Sequence, residues 1–165
     1  MFIRVNEPYL SLDYRPLSKS PRPASESQKS QGRVLIVDDD GGIRRSLSAI
    51  LQEEFRVRTA SSCDTARALL GREPFDVVMS DFEMPVQDGL SFLDYVQRQY
   101  PATVGLLLTG RAEHAKVNKA QKEWSRYRVL LKPVEPQSLI STIRTSFHVS
   151  RLRQSTGRLS NLINK

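Results

Sequence analysis

Five short strand-length runs, four of them apolar and 56–60 a weaker β segment, each stopped by polar residues, constrain this chain more than any other feature: 34–37, 56–60, 75–80, 103–108 and 129–131. Between them the periodicity changes. Ile43, Leu47, Ile50 and Leu51 recur at i, i+4, i+7 and i+8, one face of a helix. Ser62 is placed to cap a short helix carrying Ala66, Leu69 and Leu70. Leu90, Leu93 and Val96 mark a third helix, closed by Pro101, and Ala115, Ala120 and Trp124 a more polar fourth. Leu139, Ile140, Ile143 and Phe147 give a last amphipathic one. Strand-length runs alternating with helices of about 10–15 residues predict βαβ units. The expected fold is therefore α/β, a doubly wound five-stranded parallel sheet with helices on both faces. Right-handed crossovers bring the C-terminal ends of all strands to one edge. Ligands bind at that edge in such sheets, so the residues that end the strands matter most.

Those residues are Asp38 and Asp39 after the first run, Asp81 after the third, Thr109 after the fourth and Lys132 after the fifth. Taken singly, each has an ordinary reading. An acidic turn can cap a helix, Thr109-Gly110 can be a turn, and Lys132 can be a surface charge. Taken together, three carboxylates at one edge repel one another, and a hard divalent cation such as Mg²⁺ relieves that conflict. A hydroxyl and an ammonium beside it suit the remaining oxygens of a phosphoryl group. The set points to a carboxylate nucleophile that forms an acyl phosphate.

The blocks Val-Leu-Ile-Val-Asp-Asp-Asp (34–40), Ser-Asp-Phe-Glu-Met-Pro-Val-Gln-Asp-Gly (80–89), Leu-Leu-Thr-Gly (107–110) and Leu-Lys-Pro (131–133) stand in order along the chain. In this respect residues 33–148 resemble the response regulator receiver domain of two-component signalling. The resemblance implies the flavodoxin-like strand order 2-1-3-4-5. It implies that Asp81 accepts phosphate from a sensor histidine kinase or a histidine phosphotransfer protein. Asp38, Asp39, Asp81 and the backbone carbonyl of Glu83 would hold Mg²⁺, while Thr109 and Lys132 would bind phosphoryl oxygens. Glu83 and Arg111 would flank the path of attacking water and modulate dephosphorylation. The Lys132-Pro133 bond is often cis in such domains.

Three departures stand out. Gly41-Gly42 would loosen the start of the first helix. The stretch from Thr109 to Lys132 is about one position longer than in the compact chemotaxis regulator that the chain otherwise resembles. Val129 occupies the switch position, where receivers carry an aromatic residue, so readout by the neighbouring surface is expected to be muted.

Composition sets the remaining bounds. The net charge of +7 divides into +2 for residues 1–32, +1 for 33–148 and +4 for 149–165, so the folded block is nearly neutral. A nucleic-acid site needs a basic face on a folded domain, and none is visible. No run of 18 apolar residues exists, which excludes a membrane-inserted helix. A single cysteine, Cys63, and the lack of a secretory leader pattern suggest a cytoplasmic protein. His114 and His148 read as surface residues.

The expected organisation is a flexible leader with a Ser/Pro-rich linker at 1–32, a receiver at 33–148, and a basic helical extension at 149–165. Val149, Leu152, Thr156, Leu159 and Ile163 form a 3-4-3-4 seam, consistent with a weak homodimer. Gly157 costs that helix about 1 kcal/mol. With 18 residues after Phe147, a stand-alone receiver acting on a downstream effector protein is the leading expectation. The rivals are the receiver portion of a larger or DNA-binding regulator and an aspartyl-phosphate phosphatase of similar topology.

Overall fold

The computed structural model describes residues 31–110 and 127–163, with side chains as far as 157. Almost all of the expected leader, the expected helix around Trp124, and both Arg111 and His114 lie outside the described residues. The described elements run β1 (Arg33–Val37), α1 (Gly41–Leu51), β2 (Arg56–Ala60), α2 (Cys63–Leu70), β3 (Val77–Asp81), α3 (Gly89–Gln99), β4 (Val104–Thr109), β5 (Tyr127–Leu131) and α4 (Pro136–Ile163). The five strands are all parallel, in the order β2-β1-β3-β4-β5, the doubly wound arrangement expected.

The apolar runs are continuous because both faces of the sheet are covered. Leu35, Val37, Val78 and Leu107 pack with Ala66 and Leu70 of α2 and with Phe92, Leu93 and Val96 of α3. On the other face Val34, Ile36, Val77, Met79, Leu106 and Leu108 pack with Leu47 and Leu51 of α1 and Leu139 and Ile143 of α4. The edge strand β2 alone reads as weak, and its Arg56, Arg58 and Thr59 are exposed. Charged side chains there discourage pairing with another sheet.

Helix starts are set by short polar side chains. Asp40 caps α1, its carboxylate accepting from the Gly42 and Ile43 amides at 2.6 and 3.0 Å. The expected loosening at Gly41-Gly42 does not occur. These two bonds satisfy amides that a helix otherwise leaves unpaired, and α1 is helical from Gly41 onward. Ser62 caps α2 and Asp88 caps α3. β5 starts at Tyr127, two residues before the apolar run, because Tyr127 is buried against α3.

The loop between β3 and α3 contains a tight turn. The Gln87 amide donates to the Pro85 carbonyl at 2.8 Å, with Val86 between them at φ 71°. A β-branched residue is strained in that conformation. Its side chain stands fully in solvent.

Candidate functional site

Chain direction alone brings the strand-ending residues together. Asp38 follows β1, Asp81 and Thr109 end β3 and β4, and Lys132 follows β5. Main-chain bonds fix the spacing between neighbouring ends. The Asp38 amide donates to the Ala60 carbonyl at 3.2 Å, Phe82 to Leu108 at 2.8 Å, and Lys132 to Thr109 at 2.8 Å. The Lys132-Pro133 bond is cis.

The carboxylates of Asp38, Asp39 and Asp81 offer oxygens that lie within 4.8 Å of one another. Asp38 is 1% exposed, Asp81 is buried and Asp39 is open to solvent. The Lys132 ammonium lies 2.9 Å from Asp81 Oδ1 and 3.5 Å from Asp38 Oδ2. Burial pushes the Asp38 carboxyl above its ordinary range. The Asp40 amide, which donates to its Oδ1 at 2.8 Å, and the charge of Lys132 counter that only in part, and the charge of Asp81 adds to it. For Lys132, burial acts downward, but its hydrogen bond and charge contact with Asp81, joined by Asp38, outweigh it and leave the ammonium harder to deprotonate.

One ammonium cannot balance three carboxylates. The set is all oxygen, part buried and part open, and these features fit a hard divalent cation that keeps water and substrate ligands. Thr109 is fully buried at the end of β4. Glu83 stands exposed two residues beyond Asp81. Val129 is half-buried and pairs with Leu107, two ladder steps inside the Thr109–Leu131 pair.

Two supporting features were not foreseen from the sequence. Gly89 was legible as turn chemistry with Asp88, yet it is the first residue of α3 and lies against the site. A Cβ at Gly89 would sit 1.8 Å from the Asp81 carbonyl oxygen and 2.7 Å from Ser80 Oγ. Ser80 in turn donates to that same carbonyl at 3.1 Å. Arg44, half-buried on α1, donates to the Asp38 carbonyl at 2.6 Å. No local signal marks either role, because both depend on backbone brought close by the fold.

A doubly wound sheet with three carboxylates, a threonine and a lysine gathered at its C-terminal edge defines a class of phosphoryl-handling signalling domain. The family model of the response regulator receiver domain matches residues 34–144, and the chain belongs to that family. Such domains serve two-component systems as signalling modules and bind Mg²⁺ in an acidic pocket, with which the Asp38, Asp39 and Asp81 cluster is consistent.

The chain is 37% identical over 129 residues to the hydrogenase transcriptional regulatory protein HoxA of Cupriavidus necator, covering 78% of this chain and 27% of that one. It is 30% identical over 135 residues to the DNA-binding transcriptional regulator NtrC of Proteus hauseri, covering 81% and 28%. The chain thus spans about a quarter of the length of these curated relatives. Among solved structures, a CheY-like receiver domain protein from Methanospirillum hungatei aligns with a TM-score of 0.68 and 25% identity, over 74% of this chain and 98% of that one. Among the described residues no helix is long and apolar enough to cross a membrane.

Proposed function

We propose that this domain is a phosphoacceptor in a phosphorelay, modified on Asp81 in a Mg²⁺-dependent reaction with a sensor histidine kinase or a histidine phosphotransfer protein. The observation that carries this reading is the Lys132 ammonium held 2.9 Å from Asp81 inside a three-carboxylate cluster. An Asp81 oxygen attacks the phosphorus of a phosphohistidine. The P–N bond breaks, its electron pair returns to the imidazole, and the imidazole takes up a proton. Asp81 is left as an acyl phosphate.

Asp38, Asp39, Asp81 and the Glu83 carbonyl would hold Mg²⁺, which supplies charge neutralisation for the transferring group when bound. Lys132 screens the phosphoryl charge, and the Thr109 hydroxyl donates to one of its oxygens. Glu83 and Arg111 modulate loss of the phosphate, Val129 mutes the readout, and output passes to an effector protein by direct contact. On this reading the receiver spans 33–148, between a Ser/Pro-rich leader and a basic helical extension that supports a weak homodimer.

A second reading is favoured by a specific observation. The curated relatives carry the matching region as about a quarter of a longer chain, two of them named as transcriptional regulators. The same phosphoacceptor would then be the receiver portion of a larger regulator.

The test is incubation with Mg²⁺ and a small amidophosphate or acyl phosphate donor, followed by reductive trapping and mass spectrometry. Homoserine at position 81, the reduction product of an aspartyl phosphate, is expected, absent with EDTA and absent in Asp81→Asn. Undiminished labelling of Asp81→Asn would remove the assignment.

A further inference from the structure

α4 is 28 residues long, about 42 Å at 1.5 Å per residue, whereas the strands it crosses span roughly 17 Å. Its first buried contacts are apolar, Leu139 and Ile143 in the core of one sheet face. Further along the same inward stripe the chemistry changes. Ser146 and Ser150 are both fully buried, and Gln154 follows one turn later, half-buried. Ser146 bonds only to its own helix, at the Thr142 carbonyl. Ser150 and Gln154 instead reach out of the helix to one acceptor.

That acceptor is Asp76, the residue before β3, at the opposite end of that strand from Asp81. Asp76 is buried. Its Oδ2 accepts from the Arg33 amide at 2.9 Å, and its Oδ1 accepts from Gln154 Nε2 at 3.1 Å and from Ser150 Oγ at 3.4 Å. Gln154 also donates to Ser150 Oγ at 3.2 Å, so the two helix side chains brace each other. Asp76 itself is held by the sheet, its amide donating to Arg33 and its carbonyl accepting from Val104, each at 2.9 Å. Two neighbouring contacts lie along the same edge. The Phe147 ring covers Gly32, where a Cβ would meet it at 2.8 Å, and an Arg153 nitrogen lies 3.5 Å from the Pro101 carbonyl. On the far side of the helix, Leu152 is 68% exposed and Thr156 is open to solvent.

We propose that Asp76 is a latch, with Ser150 and Gln154 as its bolt, that fixes the direction and rotation of α4 where it overruns the sheet. The segment beyond Phe147 is then a rigid arm, held in one phase with Leu152 and Thr156 turned away from the sheet and Val149 half-buried beside them. A polar latch suits this task better than an apolar contact. Directional bonds to a carboxylate fixed on β3 specify rotation, whereas apolar packing tolerates sliding. The inference rests on the fold and is independent of the phosphoacceptor reading.

Amide hydrogen exchange on the full chain tests it. The Ser150→Ala/Gln154→Ala double variant keeps the Asp76 bond to Arg33 and the apolar core. Peptides covering 148–157 are expected to exchange about tenfold faster in it, with those covering 34–37 and 104–108 unchanged. Asp76→Ala is expected to show the same local increase; should it fail to fold, the double variant decides. Exchange at 148–157 within twofold of the parent would overturn the latch. An equal acceleration across the whole sheet would overturn it as well, since the contact would then be a general stabiliser.

Discussion

Gly89 shows how tightly the proposed phosphoacceptor is held from behind. The start of α3 passes so close to Asp81 that any side chain would overlap its carbonyl. The backbone need not adopt an unusual dihedral there, since no glycine among the described residues has a positive φ. Space alone dictates the residue. Gly89→Ala must displace either α3 or the end of β3, and neither can move without disturbing Phe92 and Leu93, which are fully buried. The variant is expected to lose about 2–3 kcal/mol of stability, the upper range for overpacking, as a lowered urea midpoint with unchanged slope. Labelling of Asp81 should fall along with it. A midpoint equal to the parent's would show that the helix can retreat without cost.

Among elements, β5 is the one whose tie to the rest of the domain departs from expectation. Its aromatic residue is Tyr127, deeper in the sheet than the switch position. The ring packs over Gly105 of β4, where a Cβ would meet Tyr127 Cδ1 at 3.1 Å, and the hydroxyl donates to Asp94 of α3. A ring bonded in this way anchors β5 to α3 and is poorly placed to swing. Tyr127→Phe should therefore cost about 1–2 kcal/mol in urea denaturation, since Asp94 loses its donor. Val129, short and restricted at χ1, has no ring to offer in its place. On saturation with beryllofluoride, chemical-shift changes are expected around 38–44, 81–89 and 109–113, with little at 137–147. Val129→Tyr should enlarge the response of 137–147. Large changes there in the parent would show that the switch is intact without an aromatic residue.

For the molecule as a whole, the cluster at the sheet edge sets how stability varies with pH. Burial raises the Asp38 carboxyl above its ordinary 3.8, so the folded state holds that proton more tightly than the unfolded chain does. Stability from protonated Asp38 is full below 3.8 and is lost as pH rises through the folded value. Lys132 is raised from 10.5 on balance, so its contribution is present below that value and is lost as pH climbs through the folded one. In EDTA, the parent should weaken as pH rises above about 4, and Asp38→Asn should lack that decline. Mg²⁺ at neutral pH should raise the parent's midpoint and leave Asp38→Asn nearly unmoved. Equal stabilisation of both by Mg²⁺ would place the cation elsewhere.

The amino-acid sequence by itself determined the alternation of strands and helices, because a buried parallel strand needs an unbroken apolar run and a surface helix needs a stripe. It also determined which side chains meet, since in a doubly wound sheet every strand ends at one edge, and Asp38, Asp81, Thr109 and Lys132 are strand-ending residues. Capping by Ser62 was local chemistry and equally legible. The tertiary structure alone decided the rest. Gly89 is required by a helix passing Asp81, Asp76 gains its partners from a helix more than seventy residues away, and Tyr127 is fixed by an acid on α3. Each is a contact between segments distant in the chain. Periodicity reports which face a residue occupies and carries no information on what the fold will set against it.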